Sequence, residues 1–468
     1  MSKIKQLFEP ADMTIGTPWK RIAMFSIPML IGNIAQQMYN TVDSIVVGHY
    51  VGDNALAAVG SAMPILNLLL AIFVGVSTGA GIVIAQHYGA RDREGLSLAV
   101  GNCLTLAAIA SLVIMLLGPL VTRPFLELLG TPDTIIDWCT SYLNIMFLGI
   151  VGFFFYNMLS GVLRGLGDSL SALIFLLISA ALNVALDLLF VAKFGLGVPG
   201  VAIATVIAQV ISAILCYWKL TRMQNVFDLA GKYLKLASNM ALRIIRIGFP
   251  SGITQGIMAT AGMVVQTLTN SMGEMFIACN VIVMRVDGFA MLPNLTFGQA
   301  MSVYTGQNVG ANKLDRVHRG VKQGSIMALT VSAVITGILL IFGKYLFAIF
   351  TDTQELIDLA VKMMRVLAVG YICVSVTQVL GGVMRGAGDT MTPMCISLVS
   401  TIMLRIPTAY IMAHFTKSPD YPNGHPISIF SSLLVSWSLG MVISLVVFKI
   451  GKWKKKMYAS AEQYSNPK

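Results

Sequence analysis

Runs of about twenty apolar residues, the length that crosses a ~30 Å hydrocarbon core as a helix, recur along the whole chain with short polar breaks between them. No other feature restricts the fold as strongly. The runs predict twelve helices, at 19–47, 55–83, 97–122, 135–159, 168–192, 198–220, 242–270, 276–304, 317–345, 358–383, 389–414 and 427–449. Of the 468 residues, 56% are hydrophobic and 11% charged, more apolar surface than one soluble core can hide. The expected class is an all-α integral membrane protein. The first 18 residues are polar, and the run after them is longer than a signal sequence and lacks a small-residue cleavage site, so the first helix is expected to stay as an uncleaved anchor.

Charge orients the chain. Of the 32 Lys and Arg residues, 24 fall at the two ends and in the even-numbered connections, and 4 in the odd-numbered ones. By the positive-inside rule both termini face the cytoplasm. The tail "KIGKWKKKMY" (449–458) suits anionic headgroups, and no nucleic-acid partner is expected. Six cysteines (103, 139, 216, 279, 373 and 395) lie scattered without metal-like or disulfide-like spacing and read as small packing residues.

The sequence repeats itself. "LSGVLRGLGDSLSALIFLLIS" (159–179) aligns with "LGGVMRGAGDTMTPMCISLVS" (380–400), with nine identities in 21 positions at an offset of 221. The same offset pairs Gln86 with Gln307, Gly52 with Gly273 and Gly149 with Gly370, and an offset of 222 pairs Pro28 with Pro250. The expected organisation is therefore a cytoplasmic segment 1–18, a first six-helix lobe 19–220, a basic cytoplasmic linker 221–241, a second six-helix lobe 242–449 and a basic tail 450–468. Parallel repeats of this kind are a transporter architecture.

The motifs that look catalytic are better read as structure. "RGLGDS" and "RGAGDT" lack the strand-turn-helix context of a phosphate loop. Each puts an Arg at one helix C-terminus and Asp168 or Asp389 at the next N-cap. Small residues in "GVSTGAG" (75–81) allow close helix packing. Pro28, Pro64, Pro250 and Pro293 fall inside helices and can kink them; sequence leaves open whether a kink is static or a hinge. The five histidines have no ligand spacing, and no nucleophile, base and orienting group occur together. Neither a prosthetic cofactor nor enzyme chemistry is expected.

The intramembrane carboxylates carry the functional signal. Of 21 Asp and Glu residues, Asp43, Asp187 and Asp287 lie well inside predicted helices, where an ionisable group costs roughly 3 kcal/mol and by default marks function. Asp43, Asp187 and Thr205 lie five to seven residues from the outer ends of their helices, ~7 to 11 Å deep at 1.5 Å per residue. Asn183 stands one turn below Asp187 on the same face. Asn33, Gln36, Asn40 and Asp43 form a polar stripe at helical spacing, which belongs against a wet cavity. In the second half Asp43, Asn183 and Asp187 become Val264, Leu404 and Thr408, so the cluster is not duplicated. Asp287 and Arg285 could serve the second half, or form a local ion pair.

Taken together, "FSIPMLIGNIAQQMYNTVDSIVVGHYVGDNALAAVG", "AQHYGA" with "TGQNVGA", the paired "RGLGD" and "RGAGD", and "NVALD" resemble the multidrug and toxic compound extrusion (MATE) family, in its DinF-like branch. The resemblance covers nearly the whole chain. It implies two six-helix bundles and export of amphipathic, often cationic drugs or toxins in exchange for H⁺ or Na⁺. It matches the family's cation site to Asp43, Asn183, Asp187 and Thr205, with Na⁺ as the only metal it would hold. It also matches the bending proline to Pro28 and cavity-facing positions to Gln36 and Tyr39. Asn33, Asn40 and Asp287 are the other expected cavity residues. A monomer among the lipids of a bacterial cytoplasmic membrane is expected. The alternative, a flippase for lipid-linked substrates, calls for more cationic residues around the cavity than the sequence supplies.

Overall fold

The computed structural model describes residues 10–128, 131–419 and 421–465; the side chains of some helical positions, Asn40, Asp43 and Pro64 among them, lie outside that description. Among the described residues the regular structure is helical, with no strand. In order the helices are α1 (Pro18–Tyr50), α2 (Asp53–Ala90), α3 (Arg93–Leu128), α4 (Asp133–Leu148 and Ile150–Gly165), α5 (Ser169–Asp187, continued by a π-helical turn Leu188–Lys193) and α6 (Gly197–Thr221). After a short 3₁₀ turn (Gly231–Leu234) follow α7 (Ser238–Asn270), α8 (Glu274–Gly310), α9 (Leu314–Ala348), α10 (Gln354–Gly386), α11 (Met391–Ser397, π-helical Leu398–Arg405, Ile406–Phe415), α12 (Ile427–Ile450) and α13 (Lys452–Ser465).

Each expected span falls on one of α1 to α12. Nine of the described helices are long and apolar enough to cross a membrane, and α4 makes a tenth, its halves bent by 53°. The bend sits at Gly149, where a Cβ would run into the Val206 side chain of α6. The two long helices left over are α1 and α7, which occupy equivalent places in the two halves and are the ones diluted by polar residues. Large apolar side chains stand exposed on α3 (Leu116, Leu117, Leu120) and α9 (Val334, Ile341, Phe342), an arrangement whose natural solvent is hydrocarbon. α13 was expected only as a basic tail. It is a helix because Trp453, Met457 and Ala461 recur every four residues and bury one face against α8 and α12.

Contacts divide the chain into two units. One comprises Ile27–Gly252 with the described residues up to Asp12; the other comprises Met13–Ser26 and Ile253–Lys468. The leading parts of α1 and α7 therefore belong to different units from the rest of each helix. Pro28 and Pro250 stand within three residues of the changes, where the missing backbone hydrogen bond lets a helix redirect. In the first unit, Gly248 and Gly252 of α7 cross Gly79 and Gly75 of α2 so closely that a Cβ on any of the four would collide with backbone. Beside this crossing Arg243 donates to Gln86 Oε1 at 2.8 Å. In the second unit the equivalent glutamine, Gln307, accepts from the Met13 backbone N–H at 2.9 Å.

The duplication is visible in packing within each unit. Gly161 and Gly165 of α4 press on Ser77 and Gly81 of α2, and at the 221 offset Gly382 and Gly386 of α10 press on Gly298 and Ser302 of α8. Hydroxyls tie both crossings: Ser77 donates to the Asn157 carbonyl at 2.6 Å and Ser302 to the Gly382 carbonyl at 3.0 Å. Large apolar residues complete each core, with Phe147 and Phe154 in the first unit and Phe276, Phe430 and Tyr371 in the second.

Both "RGxGD" turns are helix caps. Gly167 and Gly388 take φ of +90° and +89°, a region L side chains avoid. Asp168 Oδ1 accepts from the Ser171 backbone N–H at 2.9 Å and Asp389 Oδ1 from that of Thr392 at 3.4 Å. Lysines back the two caps from different places, Lys219 of α6 at 3.5 Å from Asp168 and Lys456 of α13 at 2.8 Å from Asp389. The 221–241 connection is docked on α3. Arg93 binds Asp228 at 2.7 Å and the Gln224 carbonyl at 2.6 Å, Ser97 accepts from the Asp228 N–H at 2.8 Å, and Asn102 accepts from the Ala237 N–H at 2.9 Å.

Gly382→Val is expected to destabilise the protein by about 1–3 kcal/mol, the cost of overpacking, read as earlier exposure of the buried cysteines to a thiol dye on heating. The Arg93 hydrogen bond holds the Asp228 carboxyl below the usual carboxylate range. Its contribution to docking is therefore complete above about pH 3.9 and is lost as pH falls through the lowered folded value. Arg93→Ala at neutral pH, or acid in the wild type, should lower hydrogen-exchange protection of residues 224–237 while α4 stays protected.

Candidate functional site

Asn183 and Asp187 lie one helical turn apart on α5, and neither exposes any surface. With its amide nitrogen turned to the carboxylate, Asn183 donates to Asp187 Oδ2 at 2.8 Å and its oxygen accepts from the Thr205 backbone N–H at 3.2 Å. This arrangement suits a carboxylate, which only accepts.

The surroundings hold this group in place. Thr205 arrives from α6, which is tied to α5 lower down by Ser179 donating to the Ala208 carbonyl at 3.0 Å and Ser212 to the Phe175 carbonyl at 3.4 Å. Directly after Asp187 the helix loosens into its π-helical turn, a geometry common at functional sites, and Gly195 and Gly197 at φ +64° and +60° lead into α6. Asp43 lies on α1, but its side chain, like that of Asn40, is outside the described residues.

A second feature of the first unit is a cavity of about 80 Å³ between α1, α4 and α5. Pro28, Asn33 and Gln36 line it from α1, Asn157, Ser160 and Arg164 from α4, and Ser169, Leu173 and Leu176 from α5. A drug-sized ligand needs about 300–1,000 Å³, so this cavity holds water or one polar group. Of the expected cavity residues, Asn33 and Gln36 face it. Tyr39 is half-buried and Asp287 belongs to the other unit; neither lines it. The Asn183–Asp187 pair is also separate from it, two to three turns further along α5. Arg164 and Asn157 were not singled out as site residues in the sequence. Their i, i+3, i+7 spacing with Ser160 on α4 was the available signal.

In the second unit Asp287 does not take up the local ion pair with Arg285 that was one of the readings left open by the sequence. The Tyr371 hydroxyl of α10 donates to Asp287 Oδ1 at 2.8 Å, and the Arg405 guanidinium of α11 acts on the same charge. Arg285 is exposed. Two residues along a helix point in different directions, whereas Tyr371 meets Asp287 across the α8–α10 contact. Tyr371 is held by its own backbone, whose carbonyl accepts from Asn294 at 3.2 Å and Ser332 at 3.2 Å. Among the described residues no three His, Cys, Asp or Glu side chains stand together as a metal site.

The MatE family model matches residues 28–189 and 250–411, two segments of equal length that begin at Pro28 and Pro250. Over 447 residues the chain is 28% identical to the probable multidrug resistance protein YoeA of Bacillus subtilis, covering 94% of this chain and 95% of that one. It is 24% identical to the probable multidrug resistance protein NorM of Thermotoga maritima, covering 95% of each. Among solved structures, one described as an outward-facing multidrug resistance MATE family transporter of the MOP superfamily superposes with a TM-score of 0.87 at 23% identity, covering 97% of this chain and 99% of that one. A MATE crystal structure in a bent conformation gives 0.86 at 23% identity over the full length of both.

Removing the Tyr371 hydroxyl leaves Asp287 short of a hydrogen bond to a charged group, worth about 1.5–3 kcal/mol. Tyr371→Phe should therefore lower the thermal unfolding midpoint, and Arg285→Ala should not, in a melt of the purified protein.

Proposed function

The chain belongs to the MATE family, whose model it matches over both halves, and on that premise we propose that it is a multidrug efflux antiporter, exporting amphipathic and often cationic compounds in exchange for H⁺ or Na⁺. It is a transporter and not an enzyme. The observation that carries the ion-coupled reading is Asp187, fully buried beside Asn183 and the only ionisable residue in α5 before its π-helical turn. Asp43 on α1 and Thr205 on α6 complete the proposed cation site. Two carboxylates in a site of low dielectric repel each other unless a proton or Na⁺ intervenes, and the amide and hydroxyl oxygens of Asn183 and Thr205 are suitable hard ligands for Na⁺.

In the proposed cycle, a cation from outside neutralises the site and removes the repulsion that keeps α1 straight. α1 then bends at Pro28, where a backbone hydrogen bond is already missing. Bending moves the polar stripe of Asn33, Gln36, Tyr39 and Asn40 and expels drug outward. The ion leaves to the cytoplasm when the protein turns inward. Ion and drug favour different conformations, so each displaces the other. Asp287, hydrogen-bonded to Tyr371, serves the substrate path of the second half. Residues 19–220 and 242–449 act as the two transport lobes of a monomer in a bacterial cytoplasmic membrane, with both termini in the cytoplasm; the bias of Lys and Arg supports that orientation.

Asp187→Asn is expected to reduce gradient-driven efflux of a fluorescent cation from proteoliposomes to background while leaving dye binding within a few-fold of wild type. Separate imposition of a pH gradient and a Na⁺ gradient identifies the coupling ion. Efflux by the variant at the wild-type rate under either gradient removes Asp187 from the mechanism.

A further inference from the structure

The cavity between α1, α4 and α5 contains one charge. Arg164 is the only ionisable cation among the side chains that line it, and no acid lines it. Among the described residues the guanidinium has no hydrogen bond or ion pair. The acid four positions on, Asp168, is already committed, to Ser171 through backbone N–H and hydroxyl at 2.9 and 2.7 Å and to Lys219 at 3.5 Å. A half-buried guanidinium without a counter-charge loses part of its hydration uncompensated, and that cost falls when an anion occupies the space it faces.

The rest of the lining says which anion. The Gln36 amide offers donors for a second oxygen, as does the remaining N–H of Asn157, whose amide nitrogen already donates to the Phe153 carbonyl at 2.8 Å, while Leu173 and Leu176 form an apolar wall. A single guanidinium, with no lysine or second arginine beside it, balances one negative charge; its planar fork matches two coplanar oxygens. Both features suit a carboxylate better than a phosphate dianion. The volume, about 80 Å³, admits a carboxylate and water but not the body of an amphiphile.

We propose that Arg164 makes this cavity a subsite for the carboxylate of an amphiphilic substrate, whose apolar body stays outside it. The inference rests on the transport reading and deepens it, because it names the residue that favours substrates bearing a carboxylate. Asn157 and Gln36 orient the carboxylate, and Arg164 sets the preference.

The test compares rhodamine B, which carries a free carboxylate, with its ethyl ester, by fluorescence anisotropy on the full-length protein in nanodiscs. Wild type should bind the acid about tenfold more tightly than the ester, the scale of one charge-assisted contact. Arg164→Gln should bring the ratio to about one by weakening the acid alone, and Arg164→Lys should keep part of it. Unchanged ester binding by Arg164→Gln certifies that the variant is folded. Equal binding of the two dyes by wild type, an unaltered ratio in Arg164→Gln, or equal weakening of both dyes overturns the proposal. So does loss of the acid preference in physiological chloride, which assigns the cavity to a small inorganic anion. Gradient-driven efflux of the ester by wild type is scored separately: if efflux fails, the transport reading falls, whereas efflux without an acid preference removes only the subsite.

Discussion

Taking a carboxylate out of water costs several kcal/mol unless protein dipoles or a cation replace its hydration, and Asp187 is removed from water completely. Much of the first unit can be understood from that requirement. Asn183 must stand one turn away to meet the carboxyl, Thr205 must come from α6 to meet Asn183, and α5 and α6 must be pinned by Ser179 and Ser212 to hold the three in register. The helix continues as a π-helical turn directly after the carboxylate.

The duplication separates what a helical bundle requires from what its function requires. Close crossing of α2 with α4 recurs as α8 with α10, with glycine or serine at four matched positions, because a large side chain there would push two backbones apart. The turns capped by Asp168 and Asp389 recur for a similar reason, since a helix start needs an acceptor and a tight turn needs a glycine at positive φ. The carboxylates within the spans do not recur. The first unit has Asp187 beside Asn183 on α5; the second has Asp287 on α8 with Tyr371 on α10 and Arg405 on α11. Helix packing and the capping aspartates were retained in both copies while the carboxylates within the spans diverged.

What could be read in the sequence follows the range of the interaction. Helix positions were legible because crossing hydrocarbon imposes a length on every span, and the "RGxGD" caps were legible because capping acts over three residues. The Asn183–Asp187 pair was legible for the same reason, one turn being a local distance. Asp287 was legible as an unusual group but not in its partnership, because Tyr371 lies 84 residues away and Arg285 is nearby only in sequence. Arg164 was read correctly as a residue near a helix end, and its exposure to a cavity could not be seen from there. α13 was read from its lysines, whereas its packing is set by Trp453, Met457 and Ala461 between them.

The sequence by itself determined the membrane-spanning class, the twelve helices, the repeat and the position of the unusual carboxylates, since each depends on hydrophobicity or spacing along one segment. Only the tertiary structure decided that α1 and α7 each divide between two units near a proline, that Tyr371 and not Arg285 meets Asp287, and that Arg164 faces a cavity without an acid. Those outcomes depend on which helices lie side by side. Helix contacts are made by side chains far apart in the chain, whose meeting is set by the packing of whole helices and not by any local rule.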